Sequence, residues 1–269
     1  MKLYKYIAIL SLILLVQGCA TTYNIATHKE ELIMISSEKE EAIGSSLAGQ
    51  VEEKFKPDPD ILVQQRVDEI GQKLAAVCDR QTITYHFAVL TSEEEEDNIN
   101  AFSLPGGYIF VFKDLVDHVK NDDELACVLA HEMAHIVSKH SVKRMQASLG
   151  DAILRLALSR APTDGATRAR ANYALNQLML SYSREDEILA DKLAIKYAKL
   201  AGYNPEGMVS FLKQLLAIQQ KGPIRKYHSY RSHPYLSERI SIAREEVYGK
   251  MGFTDYINLQ DETLPSKKE

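Results

Sequence analysis

The chain has 269 residues and a formal net charge of -5, with 45% hydrophobic and 26% charged residues. A sequence of this length and apolarity can bury a sizeable core, and it suits one domain with a leader and tails. The negative balance without a basic stripe argues against a nucleic-acid partner, and no repeat of solenoid period is visible.

Met1-Lys2-Leu3-Tyr4-Lys5 puts positive charge ahead of a short apolar run from Ile7 to Val16. About ten residues are too few to cross a bilayer comfortably, so residues 1–18 read as an export leader. The run ends in Leu15-Val16-Gln17-Gly18-Cys19, which resembles the lipobox of bacterial lipoproteins. That resemblance implies that Cys19 becomes the first mature residue and carries acyl chains, palmitate among them. Several chains anchor a protein stably where a single one does not. Ala20 stands where the enteric sorting rule places aspartate for inner-membrane retention, so the resemblance implies the periplasmic face of the outer membrane. The polar stretch from Thr21 to Lys29 makes residues 19–35 a lipidated tether, followed by a folded domain over 36–250 and a polar tail over 251–269.

Within the domain, Ser36-Ser37-Glu38 caps a helix running to about Phe55, which Pro57 and Pro59 end. Ile61 to about Val77 has Val63, Val67, Ile70 and Leu74 at helical spacing. Thr82 to Leu90 alternates and reads as a strand, and Glu93 to Asp97 is an acidic loop. Asn98 to Phe112 forms two β-like runs around Pro105-Gly106-Gly107, a hairpin whose open edge, at Asn100, Ala101 and Phe102, can take an extended peptide as an added strand. Further helices are expected over Asn121 to Val137, Ala147 to Arg160, Ser183 to Ala194, Glu206 to Gln220 and Leu236 to Tyr248, with a break at Ala161 to Gly165. The fold class is α+β, predominantly helical, with a small β element beside the central helix.

That central helix carries His131-Glu132-Met133-Ala134-His135. Four residues advance a helix by about 400°, so both imidazoles lie on one face, a turn apart, and can share one cation. Zinc is the expected ion, one per chain, because it takes imidazole nitrogen and leaves a position open in catalytic sites. Glu132 can act on water without ligating, which makes it the candidate general base of peptide hydrolysis. A third ligand is needed, and the acidic first turns of the helix after Ser183 offer Glu185, Asp186 and Glu187; Glu187 and Asp191 share a face, so one can ligate while the other orients a histidine. Pattern alone does not choose among them. Cys78 and Cys127 are a candidate disulfide, and Cys127, a turn before His131, reads as a small buried residue or a bridge partner rather than a ligand.

Asn100-Ala101-Phe102 with Pro105-Gly106-Gly107, then His131 to His135, then Arg184 and Glu187-Ile188-Leu189-Ala190-Asp191, together resemble metallopeptidase family forty-eight. That gluzincin family includes HtpX-type proteases, CaaX prenyl endopeptidases and periplasmic lipoprotein proteases. The resemblance implies a zincin-type domain in which Glu187 is the third zinc ligand and Asp191 supports the ligands. It also implies that His233, in Ser232-His233-Pro234, approaches the site either to stabilise the oxyanion or to take the water position and silence the enzyme. Arg239 is a second candidate for the oxyanion. His140, displaced by about 140° from His135 on a continuous helix, is expected at the surface. The activity implied is zinc-dependent cleavage of misfolded, unfolded or stalled envelope polypeptides; the alternative is a latent or non-proteolytic metal-binding quality-control lipoprotein. Oligomeric state is not readable from the sequence.

Overall fold

A computed structural model describes residues 21–91, 98–147, 181–221 and 232–249. The leader with Cys19, the acidic loop, the region of the expected 147–160 helix and 161–165 break, and the C-terminal tail lie outside the described residues.

The described chain runs β1 (Thr21–Asn24), β2 (Lys29–Leu32), α1 (Ser37–Lys54), β3 (Lys56–Pro57), α2 (Ile61–Ala75), β4 (His86–Thr91), β5 (Ala101–Leu104), β6 (Tyr108–Phe112), α3 (Lys113–His118), α4 (Asp122–Val137), α5 (Arg184–Leu200), α6 (Glu206–Lys221) and α7 (Leu236–Tyr248). It is an α+β, mostly helical arrangement. β1 and β2 form an antiparallel hairpin, and the second sheet has the order β3-β4-β6-β5, parallel only between β4 and β6. β5 is therefore an edge strand, bonded antiparallel to β6 with Ala101 opposite Val111.

Both faces of that sheet are covered, and strand alternation divides its side chains between two cores. Val89, Ala101, Ile109 and Val111 join α2, α4, α5, α6 and α7. Leu90, Phe102, Leu104, Phe110 and Phe112 face α1 with Val142 and Met145. The turn between β5 and β6 presses on the neighbouring chain: Gly107 has φ +103° and a Cβ there would lie 2.0 Å from the Thr84 carbonyl oxygen, so glycine is required.

The helix starts are local chemistry. Ser36, Asp60, Asn121 and Ser183 each accept a backbone N–H in the first turn of α1, α2, α4 and α5, and the acidic residues of α4 and α5 complement the helix dipole. α4 is the central beam, buried along nearly its whole length, and α5 packs along it. Gly207 lets α6 approach the start of α4, where a Cβ would meet the Asp123 backbone at 2.6 Å.

Three sequence expectations change. The span expected to be a tether contains the β1–β2 hairpin, and Asn24 Nδ2 donates to the Ser138 carbonyl at 3.0 Å while Glu31 pairs with Lys143 at 2.7 Å. Its strands are short and polar on the docked face, so they lack the apolar alternation that marks a strand. The candidate disulfide is not formed: Cys78 and Cys127 are both free and buried. Cys78 Sγ instead lies 3.4 Å from the Tyr85 hydroxyl, and Cys127 Sγ bonds the Asn204 carbonyl at 4.0 Å. Burial pushes the Cys127 thiol up to about 12, so it is a protonated packing residue and not a ligand. The short strand β3 and the helix α3 were not anticipated. Among the described residues no helix is long and apolar enough to cross a membrane.

Candidate metal centre

His131 and His135 extend from one face of α4, Glu187 comes from the first turn of α5, and His233 comes from the segment before α7. One ligand atom from each lies within 4.8 Å of the others, and all four residues are buried. His131 Nε2 and His135 Nε2 are 3.1 Å apart. Glu187 Oε2 lies 3.5 Å from the first and Oε1 3.5 Å from the second. His233 Nδ1 sits 3.0 Å from Glu187 Oε1 and 3.2 Å from His131 Nε2.

Carboxylates beside the rings favour particular tautomers. Asp191 Oδ1 lies 2.9 Å from His131 Nδ1, so that nitrogen carries the proton and Nε2 presents a lone pair to the cluster. Asp186 Oδ1 is 3.1 Å from His140 Nε2, and His140 Nδ1 is 2.7 Å from His135 Nδ1. One of the two facing Nδ1 atoms carries the proton, and where it is His135 that does, His135 Nε2 is an acceptor towards the cluster. Two lone pairs and a carboxylate thus face one another in a buried space, an arrangement stable only with a positive charge among them. Burial pulls the His131 imidazole down, but Asp191 and Glu187 outweigh it and push it up to about 9, so a proton on His131 supplies that positive charge wherever no cation does. The Glu187 carboxyl is held well below its usual range, with burial opposing and His233 and Arg239 lowering it. The donor set fits a divalent cation, and three protein ligands of nitrogen and oxygen are a set that zinc takes.

Glu132, on α4 beside His131, is 2% exposed. Its Oε1 lies 3.4 Å from His233 Nε2, and its Oε2 is buried with no hydrogen-bond partner among the described residues. A carboxylate oxygen left without a partner in a buried site is costly unless it serves a ligand or a reaction.

Arg239, a candidate oxyanion donor from the sequence, lines the cavity at the site and also holds carboxylates. Nε and Nη2 donate to Asp191 Oδ2 and Oδ1, both at 2.7 Å, and Nη1 donates to the His233 carbonyl at 3.1 Å. Nη1 also lies 2.7 Å from Glu187 Oε2. The guanidinium therefore positions Asp191, Glu187 and His233, and with the Arg184–Glu238 pair it ties α7 to α5.

His140 is a correction at the site: it is 3% exposed and braces His135. The helical angle used to place it at the surface assumed one continuous helix. α4 instead ends at Val137, Lys139 takes a left-handed φ of 55°, and a new helix begins at residue 140. Tyr182 was missed altogether. Its ring stacks on His135 at 3.9 Å, its hydroxyl bonds Ser141 at 2.8 Å, and the Arg144 guanidinium covers its other region at 3.8 Å. The available signal was its place beside the Ser183 cap, which sets it at the mouth of α5.

The three expected substrate-binding residues separate by strand alternation. Ala101 lines a small cavity beside His131, Glu132, His233 and Arg239. Val128 from α4 and Met208, Phe211, Leu212 and Leu215 from one stripe of α6 complete its apolar wall. Phe102 points to the opposite side, stacked on Phe110 at 5.4 Å, so its side chain is core. Asn100 Oδ1 accepts from the Ser232 hydroxyl at 3.4 Å, linking the β5 edge to the His233 segment.

The model of the family described as "Peptidase family M48" matches residues 62–247. A "Beta-barrel assembly-enhancing protease" of Yersinia pestis is 28% identical over 224 residues, 79% of this chain and 45% of that protein. "Mitochondrial metalloendopeptidase OMA1" of Arabidopsis thaliana is 36% identical over 110 residues, 41% of this chain and 22% of that protein. "Metalloprotease YcaL" of Escherichia coli (strain K12) is 24% identical over 244 residues, 87% of this chain and 92% of that protein. The chain thus spans less than half the length of the first two relatives and nearly all of the third.

Proposed function

The chain belongs to peptidase family M48, and on that premise we propose that it is a zinc-dependent endopeptidase of the bacterial cell envelope. The observation that carries this reading is the pairing of a converging His131, His135 and Glu187 donor set with the unpartnered buried oxygen of Glu132. The three donors hold one zinc ion per chain, which when bound supplies a Lewis acid for the scissile carbonyl.

Glu132 takes a proton from water as the water oxygen attacks the carbonyl carbon. It returns the proton to the amine nitrogen as the C–N bond breaks. Asp191 keeps the His131 proton on Nδ1, and the Asp186–His140 pair does the same for His135, so both Nε2 atoms stay acceptors. The β5 edge aligns an extended peptide, and the apolar cavity receives a side chain next to the cleaved bond.

Misfolded, unfolded or misassembled envelope polypeptides are the proposed substrates, supported by the name of the Yersinia pestis relative and by the leader. Cys19 anchors the domain to the outer membrane, facing the periplasm, and residues 36–250 form the catalytic unit with the β1–β2 hairpin docked on it. The test is turnover of casein by the zinc-loaded full chain and its Glu132→Gln variant. Loss of turnover with retained zinc supports the reading, and unchanged turnover rejects it.

One observation favours a second, latent state: His233 Nδ1 stands in the donor cluster itself, where it could serve as a fourth ligand. Casein turnover that rises in His233→Ala identifies a blocking histidine, and turnover that falls identifies an oxyanion donor.

A further inference from the structure

We propose that the outer face of the β1–β2 hairpin is a membrane-interface surface, with Tyr23, Ile25, Leu32 and Met34 seated in the headgroup layer of the bilayer. The proposal deepens the anchored reading and takes from it the acylation of Cys19.

These four residues are 54%, 43%, 54% and 62% exposed, and they are four of the nine large hydrophobic side chains exposed among the described residues. Register places Tyr23 and Leu32 on one face, and Ile25 and Met34 flank them in sequence just beyond the strands. Thr21 pairs with Leu32 and Tyr23 with Glu30, so those side chains share one face, while Thr22, Glu31, Asn24 and Lys29 belong to the other. The docked face is the polar one: Asn24 bonds Glu31 and the Ser138 carbonyl, and Glu31 accepts from Thr27 and pairs with Lys143. A two-stranded hairpin that turns its apolar face outward is the reverse of a water-facing sheet, and a grouped apolar patch marks an interaction surface.

The occupant follows from where the chain comes from. A single residue, Ala20, separates Cys19 from Thr21. At about 3.5 Å per extended residue, the acylated residue is within about 7 Å of the first strand, comparable to the interfacial layer of about 5–7 Å on each side of a bilayer. An acylated Cys19 therefore holds this hairpin face at the headgroups. Glu30 is the one charged side chain on that face, and it can remain among polar headgroups at this depth. The hairpin is also fixed to the body: Met34 N–H donates to Gln146 Oε1 at 2.7 Å and Gln146 Nε2 donates to the Leu32 carbonyl at 3.1 Å. Since residues 138–146 follow α4 across the short break at Lys139, seating the hairpin sets the height of the catalytic helix above the lipid.

The chain contains no tryptophan, so a single introduced indole reports its own surroundings. Full chains carrying Tyr23→Trp, Met34→Trp or Leu62→Trp are made with the leader and placed on phosphatidylethanolamine and phosphatidylglycerol vesicles containing brominated lipid. Leu62 is 75% exposed at the start of α2, outside the hairpin. The expected result is a blue shift and about twofold quenching for Tyr23→Trp and Met34→Trp, and no quenching for Leu62→Trp. Intact mass reads acylation separately. Acylated protein that floats with vesicles while Trp at 23 and 34 is not quenched overturns the surface and leaves the anchor. Quenching without acylation upholds the surface and removes the anchor; neither acylation nor quenching overturns both. A blue shift that depends on protein concentration and needs no vesicles assigns the face to a second copy and overturns the lipid surface.

Discussion

Two buried arginine–carboxylate clusters flank α4, and they differ in what is left over. At one, Arg80 grips Glu40 through both nitrogens at 2.8 Å, donates to the Ile136 carbonyl at 3.2 Å, and Glu40 Oε1 accepts the Gly106 N–H at 3.3 Å. Lys139 stands 3.9 Å from the same carboxylate. Every acceptor there has a donor, and the cluster only joins α1, the β5–β6 turn and the end of α4. At the other, Arg239 grips Asp191 equally well, yet the carboxylates continue into three histidines and end on bare nitrogen and oxygen acceptors. A buried ion pair is therefore weak evidence of function by itself. The uncompensated remainder is what points to a ligand.

The sharpest break in that comparison is Glu132→Gln. It removes a base while keeping the shape, so turnover on casein should fall about 10²- to 10⁴-fold, with zinc content and thermal midpoint unchanged. The opposite outcome is expected at the closed cluster. Arg80→Met strands the Glu40 carboxylate and should cost about 3–5 kcal/mol of stability, read by urea unfolding, while the fraction that remains folded keeps its zinc affinity. A Glu40→Leu, Arg80→Met double variant should recover much of the loss, because neither charge is then left alone. Smaller again is Arg239→Lys, which keeps the charge and loses the fork that aligns Asp191 and Glu187. Zinc affinity, measured by chelator competition, should weaken about 10- to 100-fold without a comparable loss of fold.

Much of this was legible in the residues, for reasons that differ from place to place. The caps Ser36, Asn121 and Ser183 and the periodic stripes fixed the major helices, since those signals are local. The His131–His135 pair could be placed on one face because helix geometry is regular. Choosing Glu187 over Glu185 and Asp186 required the family resemblance, because the packing of α5 on α4 is a long-range fact. Asp186 then appeared in a different role, behind His140. That role was hidden by the left-handed Lys139, a non-glycine break that no residue pattern announces. Phe102 and Arg239 show how long-range packing adds to a local reading: strand parity turns the Phe102 side chain into the core, and Arg239 lines the cavity while its guanidinium holds Asp191.

A milder test of the same contrast lies at the start of α4, where Glu124 is a buried carboxylate fully answered by donors. Lys120 N–H reaches Oε2 at 2.8 Å, and Ser210 and Gln214 reach Oε1 at 2.6 and 2.7 Å, which fastens the cavity-lining helix α6 to α4. Burial raises this carboxyl, but those three hydrogen bonds outweigh it and the folded value is lowered from 4.5. A depressed carboxyl contributes stability above its unfolded pKa and loses it as pH falls through the folded value. Glu124→Gln should accordingly lower the thermal midpoint at pH 7, and the gap to the parent should close as the buffer is taken from about pH 5 downward. A gap that stays constant to pH 3 would mean that the carboxylate charge contributes nothing and that only its shape holds α6 in place.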